Sequence, residues 1–184
     1  LLFAHYDVLN QRPEQGASVN TALNYYNLLG RRTSSFISNP DLAFSSTSDL
    51  ELGFKQRITS RSALTINFQY REYSNQVALA RVNGAYPGGY NTFANTDFST
   101  VKSIGLAFEQ RRVKNLRFKV NYTMSFAEGT GSSRTAQQSL INSGLGPLRV
   151  IYPLNWDTRH NLNLNLNYRF DSRNPYNKSV PGVL

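Results

Sequence analysis

Residues 161–170 read NLNLNLNYRF, with Asn161, Asn163, Asn165 and Asn167 on one side of a two-residue repeat and Leu162, Leu164, Leu166, Tyr168 and Phe170 on the other. Successive side chains of a β-strand point to opposite faces, so strict alternation describes a strand whose faces meet two different solvents. A helix does not fit. Repeated asparagine is a poor helix former, and the run has neither an N-cap pattern nor apolar residues at i, i+3 and i+4.

The same alternation recurs upstream, always with apolar residues at even positions. Leu50, Leu52, Phe54 and Ile58 alternate with Glu51, Gly53, Lys55 and Arg57. After a turn at Ser60-Arg61, Leu64, Ile66, Phe68 and Tyr70 alternate with Thr65, Asn67, Gln69 and Arg71. Ile104, Leu106 and Phe108 follow the rule, and beyond a turn at 113–115 so do Leu116, Phe118, Val120, Tyr122, Met124 and Phe126. A further strand is expected at Leu2 to Leu9, with weaker alternation.

Length narrows the class. The runs continue for about ten residues or more, where soluble strands have a mode near 5–6. Ten residues at about 3.3 Å each, tilted by about 40°, rise about 25 Å, the height of the apolar band of an outer-membrane barrel. Connections alternate as well: those at 59–62 and 113–115 are tight, whereas those at 73–97 and 129–156 are long and rich in Gly, Ser, Asn and Thr. Short turns on one side and long loops on the other are the outer-membrane pattern. Strands 50–58, 98–110 and 156–170 then run inward, and 63–73 and 116–128 outward. Aromatic residues fall toward both ends, with Tyr70, Tyr73, Phe98, Phe126 and Trp156 outside and Phe54, Phe108, Phe118, Tyr168 and Phe170 inside, as expected for two headgroup-level girdles.

These readings predict an all-β chain, an antiparallel transmembrane β-barrel segment of about five to six long strands. Residues 1–184 form a single partial-barrel domain, one part of a larger barrel. Leu64, Ile66, Leu106, Val120, Leu164 and Leu166 are expected to face lipid. Asn67, Gln69, Asn121, Asn163, Asn165 and Asn167 are expected to face a hydrated lumen, because unpaired amides in hydrocarbon cost several kcal/mol each. A soluble β-sandwich accounts for the alternation equally well but not for the lengths, loop asymmetry and girdles together.

The composition removes other classes. The chain has 184 residues, a net charge of +9, eleven tyrosines, eleven phenylalanines and no cysteine, so disulfides and thiolate metal sites are out. Neither a signal peptide nor an 18-residue apolar run is read in it. Its basic residues cluster at strand ends, as in Lys55 to Arg57 and Arg111 to Asn115, without any nucleic-acid-binding module, so no nucleic-acid partner is expected. No catalytic residue, cofactor or metal site is expected. His5 and His160 lack ligand spacing, and His160 suits a rim position beside Trp156. Glu51 and Glu109 suit a lumen lattice with Lys55, Arg57 and Arg111. GTGSS at 129–133 lacks the Gly-Lys-Ser/Thr ending of a phosphate loop, and the sequon at Asn121 lies within a strand. Ligand contacts are best sought on the long outer loops, at Tyr86, Tyr90, Phe93 and Arg134, although loop aromatics pack on a barrel rim equally often.

Several stretches carry a more specific likeness: YDVLNQRP at 6–13, NPDL at 39–42 with DLELGFKQ at 49–56, VNGAYPGGYNTFANTDFSTVKSIGLAFEQRR at 82–112, YTMSFAEGTGSS at 122–133 and YPLNWDTRHNLNLNLNYRF at 152–170. In these the chain resembles the barrel of a TonB-dependent outer-membrane receptor of the large type common in Bacteroidota. The resemblance implies location in the bacterial outer membrane and energised uptake of a nutrient ligand. It also implies a TonB complex acting through a plug domain, with a surface lipoprotein as a further candidate partner. No plug, TonB box or closing strand is read in 1–184, and five or six strands cannot close a barrel of the family's roughly 22 strands. A structural or adhesive outer-membrane barrel without transport is the alternative.

Overall fold

The computed structural model describes residues 1–13, 26, 29–30, 36–86 and 88–169. Its strands are β1 (Leu2–Gln11), β2 (Ser45–Thr59), β3 (Ser62–Val82), β4 (Tyr90–Val113), β5 (Leu116–Gly129), β6 (Tyr152–Pro153) and β7 (His160–Tyr168). One short helix, α1 (Gln138–Asn142), lies between β5 and β6. The strands form one antiparallel seven-stranded sheet in chain order from β1 to β5, and both β6 and β7 pair with the far edge of β5. The sheet is open. β1 and β7 lie at opposite edges, in keeping with a section of a larger sheet.

The turns fall where the sequence places them. Between β2 and β3 the Thr59 and Ser62 hydroxyls are bonded at 2.7 Å, and the Arg61 amide donates to the Thr59 hydroxyl at 3.2 Å. Between β4 and β5, Lys114 takes a left-handed conformation with φ of 57°. Asn115 donates through Nδ2 to the Tyr168 hydroxyl at 3.2 Å, which ties the turn to β7.

One expectation is corrected. Residues 73–97 are not a long loop, because β3 and β4 continue as a hairpin whose connection is only 83–89. The extension is offset by two compensating irregularities: β3 carries one extra residue between Tyr73↔Ser99 and Gln76↔Asp97, and β4 carries one extra residue, Thr96, between Gln76↔Asp97 and Val77↔Asn95. Asn75 absorbs the first with φ of 54°. Each irregularity moves its strand by one residue, so apolar side chains that sit at even positions below sit at odd positions above. Above it Val77, Leu79 and Phe93 share a face, and with Ile141 of α1, Phe36 and Leu42 they make the one buried apolar cluster among the described residues. Phe170, assigned above to the inner girdle, lies outside the described residues.

Candidate functional site

The long strands give the sheet two unlike faces, and register shows how each is composed. On the apolar face one row reads Leu2, Phe54, Ile66, Leu106, Tyr122 and Leu162, and the next outward reads Ala4, Leu52, Phe68, Ile104, Met124 and His160. The following row, Tyr6, Leu50, Tyr70, Lys102 and Phe126, mixes aromatics with an amphipathic cation, and beyond it come Ser48, Glu72, Thr100 and Glu128. Toward the tight turns Leu64 aligns with Phe108, Val120 and Leu164, and the Phe108 and Phe118 rings lie 5.4 Å apart. Leu162, Leu164 and Leu166 are 69, 63 and 61% exposed. Nothing in the described chain covers this face.

The apolar band crosses the sheet obliquely. On β1 it extends outward to Val8, whereas on β7 it stops at Leu162, whose row leads through Tyr122, Leu106, Ile66 and Phe54 to Leu2, six residues below Val8. Six residues are about 20 Å along a strand, and five strand spacings are about 24 Å across. The band therefore runs at roughly 40° to the perpendicular of the strands, within the strand tilt of a closed barrel.

The opposite face is polar and cross-linked. Asn67 donates through Nδ2 to Glu51 at 3.1 Å, Gln69 donates to Asp49 at 3.1 Å, and Arg71 pairs with Asp49. Gly105 lies opposite Asn67, where a Cβ would stand 2.1 Å from the Asn67 amide oxygen, so only glycine leaves that amide its place. Arg117 pairs with Glu109 at 3.5 Å and Arg112 donates to Asn167 at 2.8 Å. Asn121 lies opposite Asn163, and Asn165 opposite Lys119. The expected lattice differs in its partners: Glu51 is engaged by Asn67 and Glu109 by Arg117, not by Lys55, Arg57 or Arg111. Tyr73 also belongs to this face, beside Ser99, not to an outer girdle.

The loop candidates separate. Tyr86 stands 96% exposed at the tip between β3 and β4, and the Arg134 side chain is exposed on the loop after β5. Tyr90 opens β4 and is half-buried. Phe93 is buried within β4, its ring 6.0 Å from that of Phe36, so it is a packing residue and not a loop contact. Arg134 also serves through its backbone, since its carbonyl accepts from the Leu79 amide at 2.9 Å.

Two arrangements escape a reading by residue type. Between β6 and β7 the chain bulges away from β5, and the Asp157 carboxylate accepts from the Ala127 amide at 2.9 Å where a strand carbonyl would. Arg159 holds the other Asp157 oxygen at 2.7 Å and lies 4.4 Å over the Phe126 ring. His160, rather than packing on Trp156, stacks on Tyr122 with its Nδ1 2.8 Å from the phenol oxygen. WDTRH is the signal of this device. At the base of the outer hairpin, buried Asp97 accepts from the Thr130 hydroxyl at 3.1 Å. Burial raises its pKa above the ordinary carboxyl value, and the Thr130 hydrogen bond and the Arg149 charge oppose the rise. Among the described residues no cluster of three or more His, Asp or Glu could hold a metal ion.

No family model and no curated protein matches the chain. Among solved structures it is similar to the outer membrane transporter YddB from Escherichia coli, with 14% identity and a TM-score of 0.49 over 74% of this chain. The chain spans about a fifth of that protein's length, and at this level the likeness describes shape alone.

Proposed function

We propose that the chain is a section of an outer-membrane transport barrel of the TonB-dependent type common in Bacteroidota, passing a nutrient solute without chemical change. The observation that supports this reading most is the oblique, uncovered apolar band on one face opposite a cross-linked polar face on the other. A sandwich core is covered by a second sheet. A band lying roughly 40° off the perpendicular to the strands suits lipid outside a closed barrel and water within. On this reading the partners are outer-membrane lipid, a TonB complex acting through a plug, and a surface lipoprotein over the outer loops. Neither an enzymatic role nor nucleic-acid binding is proposed.

The chain contains no cysteine, so single nitroxide labels can be placed at will in the full-length protein if the rest of it is also cysteine-free. In proteoliposomes, labels at Leu162, Leu164 and Leu166 should be relaxed by oxygen, and labels at Asn163 and Asn165 by a water-soluble nickel chelate. Equal accessibility of the two sets would end the membrane reading. An upstream plug in the complete coding sequence separates transport from a purely structural or adhesive barrel.

A further inference from the structure

The tip of the outer hairpin holds a reactive dipeptide. The chain contains a single Asn-Gly pair, Asn83-Gly84, and it opens the connection from β3 to β4. Both residues are exposed. Gly84 takes a left-handed conformation with φ of 76°, and a Cβ placed there would meet nothing within 4 Å. Its backbone nitrogen is therefore not shielded by side chains, and among the described residues nothing accepts its hydrogen.

Two other asparagines of the hairpin are placed differently. Asn91 is 5% exposed and donates to Asn142 of α1 at 3.1 Å, and Asn95 is bonded through both amide atoms to Ala43. Each precedes a threonine, Thr92 or Thr96, whose branched side chain crowds the nitrogen that would have to react.

Arg81 singles out Asn83 further. Its Nε donates to the Asn83 Oδ1 at 3.1 Å, and its Nη1 donates to the Asn91 Oδ1 at 3.0 Å, so the bond to buried Asn91 holds the guanidinium in place for the other. A cation bonded to an amide oxygen draws electrons from the carbonyl carbon and favours negative charge developing on that oxygen.

We infer that Asn83 is a self-modifying site, whose side-chain amide gives way in the folded protein to a carboxylate seated on Arg81. The Gly84 nitrogen gives up its proton to solvent base and attacks the Asn83 Cγ. The new N–Cγ bond closes a cyclic imide as the Cγ–Nδ2 bond breaks, and Nδ2 takes up a proton and leaves as ammonia. Water then adds to either imide carbonyl and reopens the ring, giving aspartate or its backbone-shifted isomer. The balance is amide plus water to carboxylate plus ammonium, with nothing oxidised or reduced. One negative charge is gained where Arg81 already donates, so that cation is neutralised in place. The site needs only an exposed hairpin tip and stands whether or not the sheet spans a membrane.

The test is a time course of the folded full-length protein in mildly alkaline buffer, followed by brief trypsin cleavage near neutral pH and tandem mass spectrometry of the peptide Val82 to Lys102. A gain of about 1 Da at Asn83, rising with time, is expected, with Asn91 and Asn95 of the same peptide unchanged. Arg81→Gln, whose peptide begins at Glu72, should slow the gain by roughly two- to fivefold in the folded protein, as one exposed charge contact allows, and not at all in urea. Arg81→Lys should retain part of the rate, which separates the charge from a loss of fold. An Asn83 that stays unmodified in the folded parent while the urea-unfolded protein converts overturns the inference. Equal gains at Asn83, Asn91 and Asn95 do so too, because they mark an unfolded chain. Conversion of folded Arg81→Gln at the parental rate overturns the part assigned to Arg81.

Discussion

The lower sheet and the outer hairpin of β3 and β4 use one alphabet for opposite ends. At Leu50, Leu52, Phe68 and Ile104 alternation leaves large apolar side chains exposed, whereas at Leu79 and Phe93 it buries them to 1 and 7% under Ile141, Phe36 and Leu42. Alternation therefore specifies that a strand has two faces, not what covers either. Coverage comes from elsewhere in the chain, and the paired irregularities around Asn75 and Thr96 mark the boundary. Below it the described chain supplies no cover. Above it the protein supplies its own.

Four experiments would break or sharpen this contrast. The largest effect is expected at Leu79→Ala, which opens a cavity in a self-packed cluster and should cost about 2–5 kcal/mol. On the membrane reading, the same truncation at Leu164 leaves no cavity, because lipid follows the surface. Hydrogen exchange over 77–95 and urea unfolding in lipid would show the two costs; equal costs would place both residues in the same kind of environment. Next, Leu164→Arg should cost about 2–4 kcal/mol in the reconstituted full barrel, and Asn165→Arg much less. Similar unfolding midpoints for that pair would mean the two faces are misassigned.

Asp157→Ala should cost about 1–3 kcal/mol, because it strips the Ala127 amide of its acceptor and Arg159 of its counter-charge. Faster exchange of the Ala127 amide, with β7 amides unchanged, is the expected signature. The smallest effect is at Asp97, where the Thr130 hydrogen bond and Arg149 offset part of the burial. With its folded pKa raised, the folded state holds the proton more tightly than the unfolded state. Its contribution is therefore complete below the ordinary carboxyl range, declines as pH rises toward the raised pKa, and is level above it. Asp97→Asn should flatten that decline in a thermal unfolding series, and an unchanged slope would show that burial does not govern this carboxyl.

Faces, turns and strand directions were legible because period and turn chemistry are local. Leu116 to Phe126 and Asn161 to Tyr168 pair as their alternation requires, and Ser60-Arg61 and Lys114-Asn115 turn where they should. The outer hairpin was hidden by its own composition. The Gly, Asn and Ser content of 73–97 resembles a loop, whereas Asn95 uses its side-chain amide to bond both the amide and the carbonyl of Ala43, at 2.8 and 3.0 Å. Such substitution of side chain for backbone is invisible without register, and Asp157 repeats it. The partners of the polar lattice stayed unread for a related reason. Lys55, Arg57 and Arg111 were assigned to Glu51 and Glu109 by proximity in pattern, but the carboxylates turn to Asn67 and Arg117.

The unequal connection lengths also order the way this sheet is made. The β2–β3 and β4–β5 hairpins each close through two residues, and hairpins of that kind form on the order of 1–10 μs. Joining β1 to β2 or β7 to β5 means first closing a long loop, a slower event whose cost grows with loop length. The early species is thus the meander from β2 to β5, joined by three short connections, with an uncovered apolar face and two unpaired edges, the combination most prone to join the wrong neighbour. A chain built this way depends on something that shields those edges until the next strand arrives.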